Sequence, residues 1–160
     1  MTALKKKPWN RVDQPVYSIA SAAGDRSNMN ICSYVTPVSM HPKRYMVAIY
    51  KNTFTLELVK ENPQFVLQFL DQSHSKLVNL LGKKSGKKTD KLKRLANDMN
   101  FLGPFPYLKS ALAIVHLDVV HWLDGGDHWC VLCDVITSKN LNDGIPLTLN
   151  YLKEKKIILS

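Results

Sequence analysis

Between Asn28 and Thr55 the chain sets short hydroxyl and amide side chains, a Thr36-Pro37 step, a His41-Pro42 turn, an apolar run and a Lys51-Asn52-Thr53 loop in one order. That order has a chemical use. Short side chains from Asn30 to Thr36 let the main chain approach the edge of a flat heteroaromatic ring and offer it N–H and C=O groups. Thr53 and Thr55 stand at the start of a predicted helix, where free N–H groups and the helix dipole favour an anion such as phosphate. Lys51 lies just before them. A polar edge strand ending in a turn accounts for the first segment at least as well. Simple capping accounts for the threonines, and a capping hydroxyl is still free to meet a ligand oxygen.

Two further places invite chemistry. The loop Lys83-Lys84-Ser85-Gly86-Lys87-Lys88 combines charge with a glycine that permits unusual backbone angles, so it suits a phosphate or a pyridine-nucleotide diphosphate. A solvated basic loop is the plainer alternative for any one of its lysines. The G-x-x-x-x-G-K-[ST] spacing is absent, which excludes a Walker-type phosphate loop. His128 follows the Gly125-Gly126 turn and precedes a strand, where side chains face pockets. Asp127 beside it can fix the tautomer of a neutral imidazole that hydrogen-bonds a carboxamide. A turn histidine packed at a hairpin corner is the competing reading.

The remaining reactive residues point elsewhere. Cys130 and Cys133 make a C-x-x-C, but on a strand they face opposite sides, and no second pair completes a zinc site. With Cys32 they make three cysteines, too few and odd-numbered for a disulfide framework. His116 and His121 are expected on opposite faces of one strand, and His41 and His74 at the surface. Tyr34, Trp122 and Trp129 are expected in the core or at an interface. No Ser-His-Asp or Cys-His order stands out.

These residues need a frame. The 160 residues, 45% of them hydrophobic, suit one domain spanning 1–160, with 1–13 as an N-terminal arm. The net charge of +9 attracts anions, yet the lysines are not interleaved with aromatics, so a nucleic-acid surface is not expected. No apolar run is long enough for a membrane span, and no h-region follows the basic start, so a cytoplasmic location is expected. Strands are predicted over 16–22, 29–38, 45–50, 64–70, 111–123 and 129–137, with a short one at 156–159. Helical segments are predicted over 53–62, after Asp71 and from Thr89, and 103–107 reads as irregular. Ala113, Val115, Leu117 and Val119 are expected to share a face. Helices that interrupt the strands only in the middle argue for a closed antiparallel barrel and against a doubly wound sheet.

In that frame the motifs resemble the flavin reductase-like family, whose fold is the FMN-binding split barrel. Asn30-Ile31-Cys32-Ser33, Thr36-Pro37-Val38-Ser39, His41-Pro42, Lys51-Asn52-Thr53, Gly82 to Gly86, Asp90-Lys91, Gly126-Asp127-His128 and Pro146-Leu147 carry the resemblance from about Val16 to Leu159. The chain departs at His41-Pro42-Lys43-Arg44, in place of a more apolar turn, and lacks glycines near Val131 and Asn150. The resemblance implies a mainly β fold: a six-stranded antiparallel Greek-key split barrel with two or three helical excursions. It implies FMN, with FAD as the alternative, and NADH or NADPH as co-substrate. A homodimer with the site near the subunit interface is implied, and in some members a flavin-dependent monooxygenase partner. The cofactor would lie against Asn30, Ile31, Cys32, Ser33, Tyr34, Val35 and Thr36, and against the strand end at Ile49, Tyr50 and Lys51. Thr53, Thr55, Lys83, Ser85 and Lys87 would hold its tail. His128 would act on the nicotinamide side.

Overall fold

The alternating apolar runs become four hairpins, and longer-range strand pairings join three of these into one sheet. The computed structural model describes residues 6–159, so Met1 to Lys5 of the expected arm and Ser160 lie outside the described residues. Strand β1 (Tyr17–Ala23) turns at Gly24, whose φ of 59° suits a residue without Cβ, into β2 (Arg26–Cys32). β3 (Val35–Met40) and β4 (Lys43–Tyr50) make a second hairpin across His41-Pro42. Helix α1 (Phe54–Glu61) starts at Thr53, whose hydroxyl accepts from the Leu56 N–H at 3.2 Å, and Pro63 follows its C-cap Asn62. β5 (Gln64–Phe69), a 3-10 turn at Gln72–Leu77 and short helix α2 (Val78–Gly82) lead to the basic loop. A second 3-10 turn (Leu92–Asp98) precedes the hairpin of β6 (Met99–Leu102) and β7 (Phe105–Leu108). The long hairpin of β8 (Ala113–Asp124) and β9 (His128–Asn140) and helix α3 (Leu149–Glu154) complete the described chain.

One antiparallel sheet of seven strands runs in the order β2-β1-β5-β8-β9-β4-β3, and β6-β7 form a separate two-stranded sheet. The sheet's outer strands, β2 and β3, are consecutive in sequence. Ser33 and Tyr34 alone link them, so the sheet must curl until its two edges meet at that corner. The Ala48 N–H donates to the Tyr34 carbonyl at 2.9 Å and ties the corner to β4. Inside the curl, Ile19, Val47, Ile49, Phe65, Leu67, Leu117, Val131 and Cys133 pack with Leu56 and Val59 of α1. A second cluster, with Ala20, Met29, Val66, Leu81, Phe105, Leu108 and Leu152, fills the space under α2, α3 and the β6-β7 hairpin. Because β1 and β5 present alternate residues to the two clusters, β1 is buried along its whole length. No helix among the described residues is long and apolar enough to cross a membrane.

Several expectations need correction. The sheet has seven strands rather than six, because the predicted strand over 29–38 is two strands broken at Ser33-Tyr34. The stretch 103–107, read as irregular, holds a hairpin turn: Gly103 with φ 57° lets Leu102 pair with Phe105, and Pro106 sits in a strand with only one neighbour. The expected strand at 156–159 is not formed. Thr148 instead caps α3 just before it, accepting from the Tyr151 N–H at 3.2 Å. Register shifts between His116 and Leu117 and between Val119 and His121 interrupt the alternation expected along β8. His74 is buried rather than exposed, with its ring closing a capping box on Asp71.

Candidate functional site

The corner where the sheet edges meet opens into a cleft of about 900 Å³. Its floor is the end of β2 and the link: Asn30, Ile31, Cys32, Ser33 and Tyr34 line it, as does Asn28. Facing them are Ile49 and Tyr50 from β4, with Ala48. The pairing of Tyr50 with His128 across β4 and β9 brings the histidine to the same wall. His128 then packs against two tyrosine rings, 5.0 Å from Tyr34 and 5.3 Å from Tyr50 between centroids. Its Nδ1 meets Asp127 Oδ1 at 2.6 Å. With the proton on Nδ1 donated to that carboxylate, Nε2 is left as an acceptor.

A second part of the wall is built by α1 and the basic loop. Thr53 spends its hydroxyl on the Tyr50 carbonyl, at 2.8 Å, and on the Leu56 N–H. The cap leaves the N–H groups of Phe54 and Thr55 without an acceptor among the described residues, and both residues line the cleft. The buried Thr55 hydroxyl accepts from Asn28 Nδ2 at 3.2 Å. Ser85 and Gly86 complete this part. A Cβ on Gly86 would stand 2.7 Å from Asn28 Cγ and 2.9 Å from Phe54 Cδ1, so the loop lies here only because residue 86 has none. Lys91 enters the same wall from beneath. Its ammonium donates to the carbonyls of Met29 at 3.0 Å and Leu81 at 2.8 Å, and burial pulls it down to about 8. Asn28, Phe54, Gly86 and Lys91 also border a second hollow of about 500 Å³.

Among the residues singled out from the sequence, Asn30 to Tyr34, Ile49, Tyr50, Thr53, Thr55, Ser85 and His128 converge on the cleft. Five do not reach its wall. Val35 and Thr36 continue into β3. Lys51 turns to Asp124, at 2.7 Å, and lies over the Trp129 ring. Lys83 donates to the Ile157 carbonyl at 3.3 Å, and Lys87 pairs with Glu57. The Asn30 side-chain oxygen accepts from the Ile19 N–H at 3.2 Å, which fixes the strand edge. Sequence reasoning passed over Asn28 and Lys91 as ligand-facing groups, along with Trp9 and Val12, which close the mouth with Leu149 and Lys153 of α3. For Lys91 the available signal was the Asp90-Lys91 step that heads a segment carrying apolar Leu92 and Leu95.

The thiols contribute packing. Burial pushes Cys32 up to about 11, and burial with Asp118 and Asp134 pushes Cys133 up to about 12. Both stay protonated near neutrality, where a thiol is a poor nucleophile. Cys130 and Cys133 are free cysteines, and Cys133 is wholly enclosed in the curl.

Comparison with known proteins agrees with this architecture. A diflavin flavoprotein A 3 of Nostoc sp. PCC 7120 is 27% identical over 134 residues, covering 83% of this chain and 23% of its own length. The chain thus spans about a quarter of the length of the curated relatives it matches. Among solved structures, an FMN-binding protein from Thermus thermophilus with bound p-hydroxybenzaldehyde superposes with a TM-score of 0.75 at 23% identity, covering 84% of this chain and 77% of the other. The flavin reductase PheA2 superposes with a TM-score of 0.76 at 22% identity, covering 92% of each chain. These likenesses establish a shared fold. Residues 9–157 match the Flavin reductase like domain, and the chain belongs to that family.

Proposed function

We propose that this chain is an FMN-binding oxidoreductase that takes a hydride from NADH or NADPH onto the flavin, with FAD as the alternative cofactor. We read residues 1–160 as one such domain, acting in the cytoplasm as a homodimer with the cleft near the subunit boundary. The observation that carries this reading is one cleft lined together by the β2-β3 link, the Tyr34, Tyr50 and His128 rings, the first turn of α1 and Lys91. Cofactor cavities of roughly 300–1,000 Å³ are usual, and about 900 Å³ leaves room for a flavin and part of a second ring. The residues fit the group. Small side chains expose backbone along Cys32 and Ser33, Gly86 lets the basic loop close directly on Asn28 and Phe54, and the first turn of α1 presents unsatisfied N–H groups.

A bound flavin would supply the ring that accepts a hydride from reduced nicotinamide. The chain's own residues position and shield. Asp127 holds the His128 ring through Nδ1, and the Nε2 of a neutral imidazole held in this way would accept from a carboxamide N–H. Contact with the Tyr34 and Tyr50 rings restricts the imidazole further. That single hydrogen bond sets the angle at which a nicotinamide approaches, and approach geometry governs the rate of hydride transfer.

The test is anaerobic mixing of the flavin-loaded protein with NADH and with NADPH while flavin absorbance is followed. Fast bleaching supports the enzyme. His128→Ala is expected to slow it by about two- to tenfold, the worth of one hydrogen bond, with FMN affinity unchanged; equal rates would remove the role given to His128. A second reading draws on the relatives being about four times longer than this chain. There the domain is a flavin-bearing electron carrier for another module, or for a monooxygenase. Retained flavin that neither nucleotide bleaches would favour it.

A further inference from the structure

Lys91 carries a buried positive charge with no negative one beside it. The residue is 4% exposed. Two of its three N–H donors go to the Met29 and Leu81 carbonyls, and the third has no partner among the described residues. No ion pair among the described residues includes Lys91, although Asp25 lines the second hollow with it. Asp90 accepts from the N–H groups of Leu92 and Lys93, Glu57 pairs with Lys87, and Glu61 pairs with Arg26. The surroundings are otherwise neutral or positive: the Asn28 amide and Met29 main chain from β2, the Leu81 carbonyl from α2, Thr55 from α1, and Lys84 on the loop. An ammonium shut away from water without a counter-charge is costly, and its lowered pKa has burial as its only cause. A protein that keeps such a group on a cavity wall gains if a ligand brings the missing charge.

We propose that Lys91 is the internal anion anchor of the cleft and holds the 5′-phosphate of the flavin, a role the exposed loop lysines do not fill. The inference rests on the flavin reading. The position suits it: Lys91 lines the cleft with Asn28, Thr55 and Ser85, and with Asn28 it also borders the second hollow. Two of the lysines proposed from the sequence, Lys51 and Lys87, are already neutralised by Asp124 and Glu57.

Riboflavin and FMN differ only in the phosphate, so their affinities isolate this contact. Titration of the full chain, followed by flavin fluorescence, is expected to show FMN bound about ten- to a hundredfold more tightly, as befits one or two charge-assisted hydrogen bonds. Lys91→Met is expected to erase that preference while leaving riboflavin affinity within about threefold, and Lys91→Arg to restore part of it. In the wild type, FMN is expected to draw a proton onto the protein near pH 9, read by calorimetry in buffers of different ionisation enthalpy, and riboflavin is expected to draw none. Should Lys91→Met not fold, this proton uptake decides the matter: its presence supports the anchor and its absence overturns it. A preference for FMN that survives Lys91→Met also overturns the anchor. If neither flavin binds the wild type, the flavin reading itself fails, and that outcome is distinct.

Discussion

His74 and Lys91 are both bases that folding removes from water, yet the two corners of the molecule treat them differently. At His74 the protein supplies every partner. The Asp71 N–H donates to Nδ1 at 2.9 Å, Ser110 Oγ meets Nε2 at 2.7 Å, and the Asp71 carboxylate lies near enough to oppose part of the effect of burial. At Lys91 it supplies two carbonyl oxygens and no carboxylate. The first corner locks the 3-10 turn after β5 against the loop before β8. The second lines a cleft. A buried polar group with a complete set of partners belongs to the fold, whereas one missing only its counter-charge indicates what the ligand must bring.

The contrast can be broken in several ways, beginning with the largest effect. Gly86→Val would drive a branched side chain into Asn28 and Phe54. Overpacking of this kind costs about 1–3 kcal/mol, so a loss of FMN affinity of about five- to a hundredfold or more is expected by equilibrium titration. FMN binding that tolerates valine there would mean the loop does not wall the cleft. His74→Leu leaves the Asp71 N–H and the Ser110 hydroxyl without their ring partners, at a cost of about 1–3 kcal/mol. Denaturant unfolding should register that loss while FMN affinity stays level, and the reverse pattern would dissolve the distinction between the two corners.

The two bases also bear on stability through pH. Burial lowers His74, so the unfolded chain takes up the proton first, and this group's contribution is lost as pH falls below about 6.5. Asp71, lowered chiefly by its hydrogen bonds to Ser73, acts in the same direction at lower pH. For ligand-free protein, Lys91 makes stability rise with pH between about 8 and 10.5, because the unfolded chain holds the extra proton across that range. The smallest effects are expected at the exposed lysines. Replacing Lys51, Lys83 or Lys87 by Ala should each change FMN affinity by less than about fivefold, since exposed pairs are worth about 0–1 kcal/mol. A much larger loss at any of them would return the phosphate to the loop.

The split between what was legible in the sequence and what was not follows the same physics. Hairpins and α1 announced themselves, because Gly24, Thr53, Pro63 and the Gly125-Gly126 turn act locally. The floor of the cleft was legible because short side chains there are a local fact. The break at Ser33-Tyr34 was hidden, since it arises from the two sheet edges meeting, which no window of sequence contains. The β6-β7 hairpin was masked by prolines that a two-stranded sheet tolerates. Lysines crowd visibly in the loop, but the Lys87–Glu57 ion pair is long-range, as is the pair of Lys51, outside that loop, with Asp124. Lys91 appeared as one more cation, because burial depends on Met29 and Leu81 arriving from elsewhere. Charge density in sequence and charge available to a ligand are therefore different quantities in this protein.

A crystal structure of the full chain grown with stoichiometric FMN would test the central claim most directly. The account expects the flavin ring against Asn30 to Tyr34 with its open face toward His128, and phosphate oxygens within hydrogen-bonding reach of Lys91. A ring seated elsewhere, or a cleft that the chain's own side chains fill while FMN stays in solution, would contradict it.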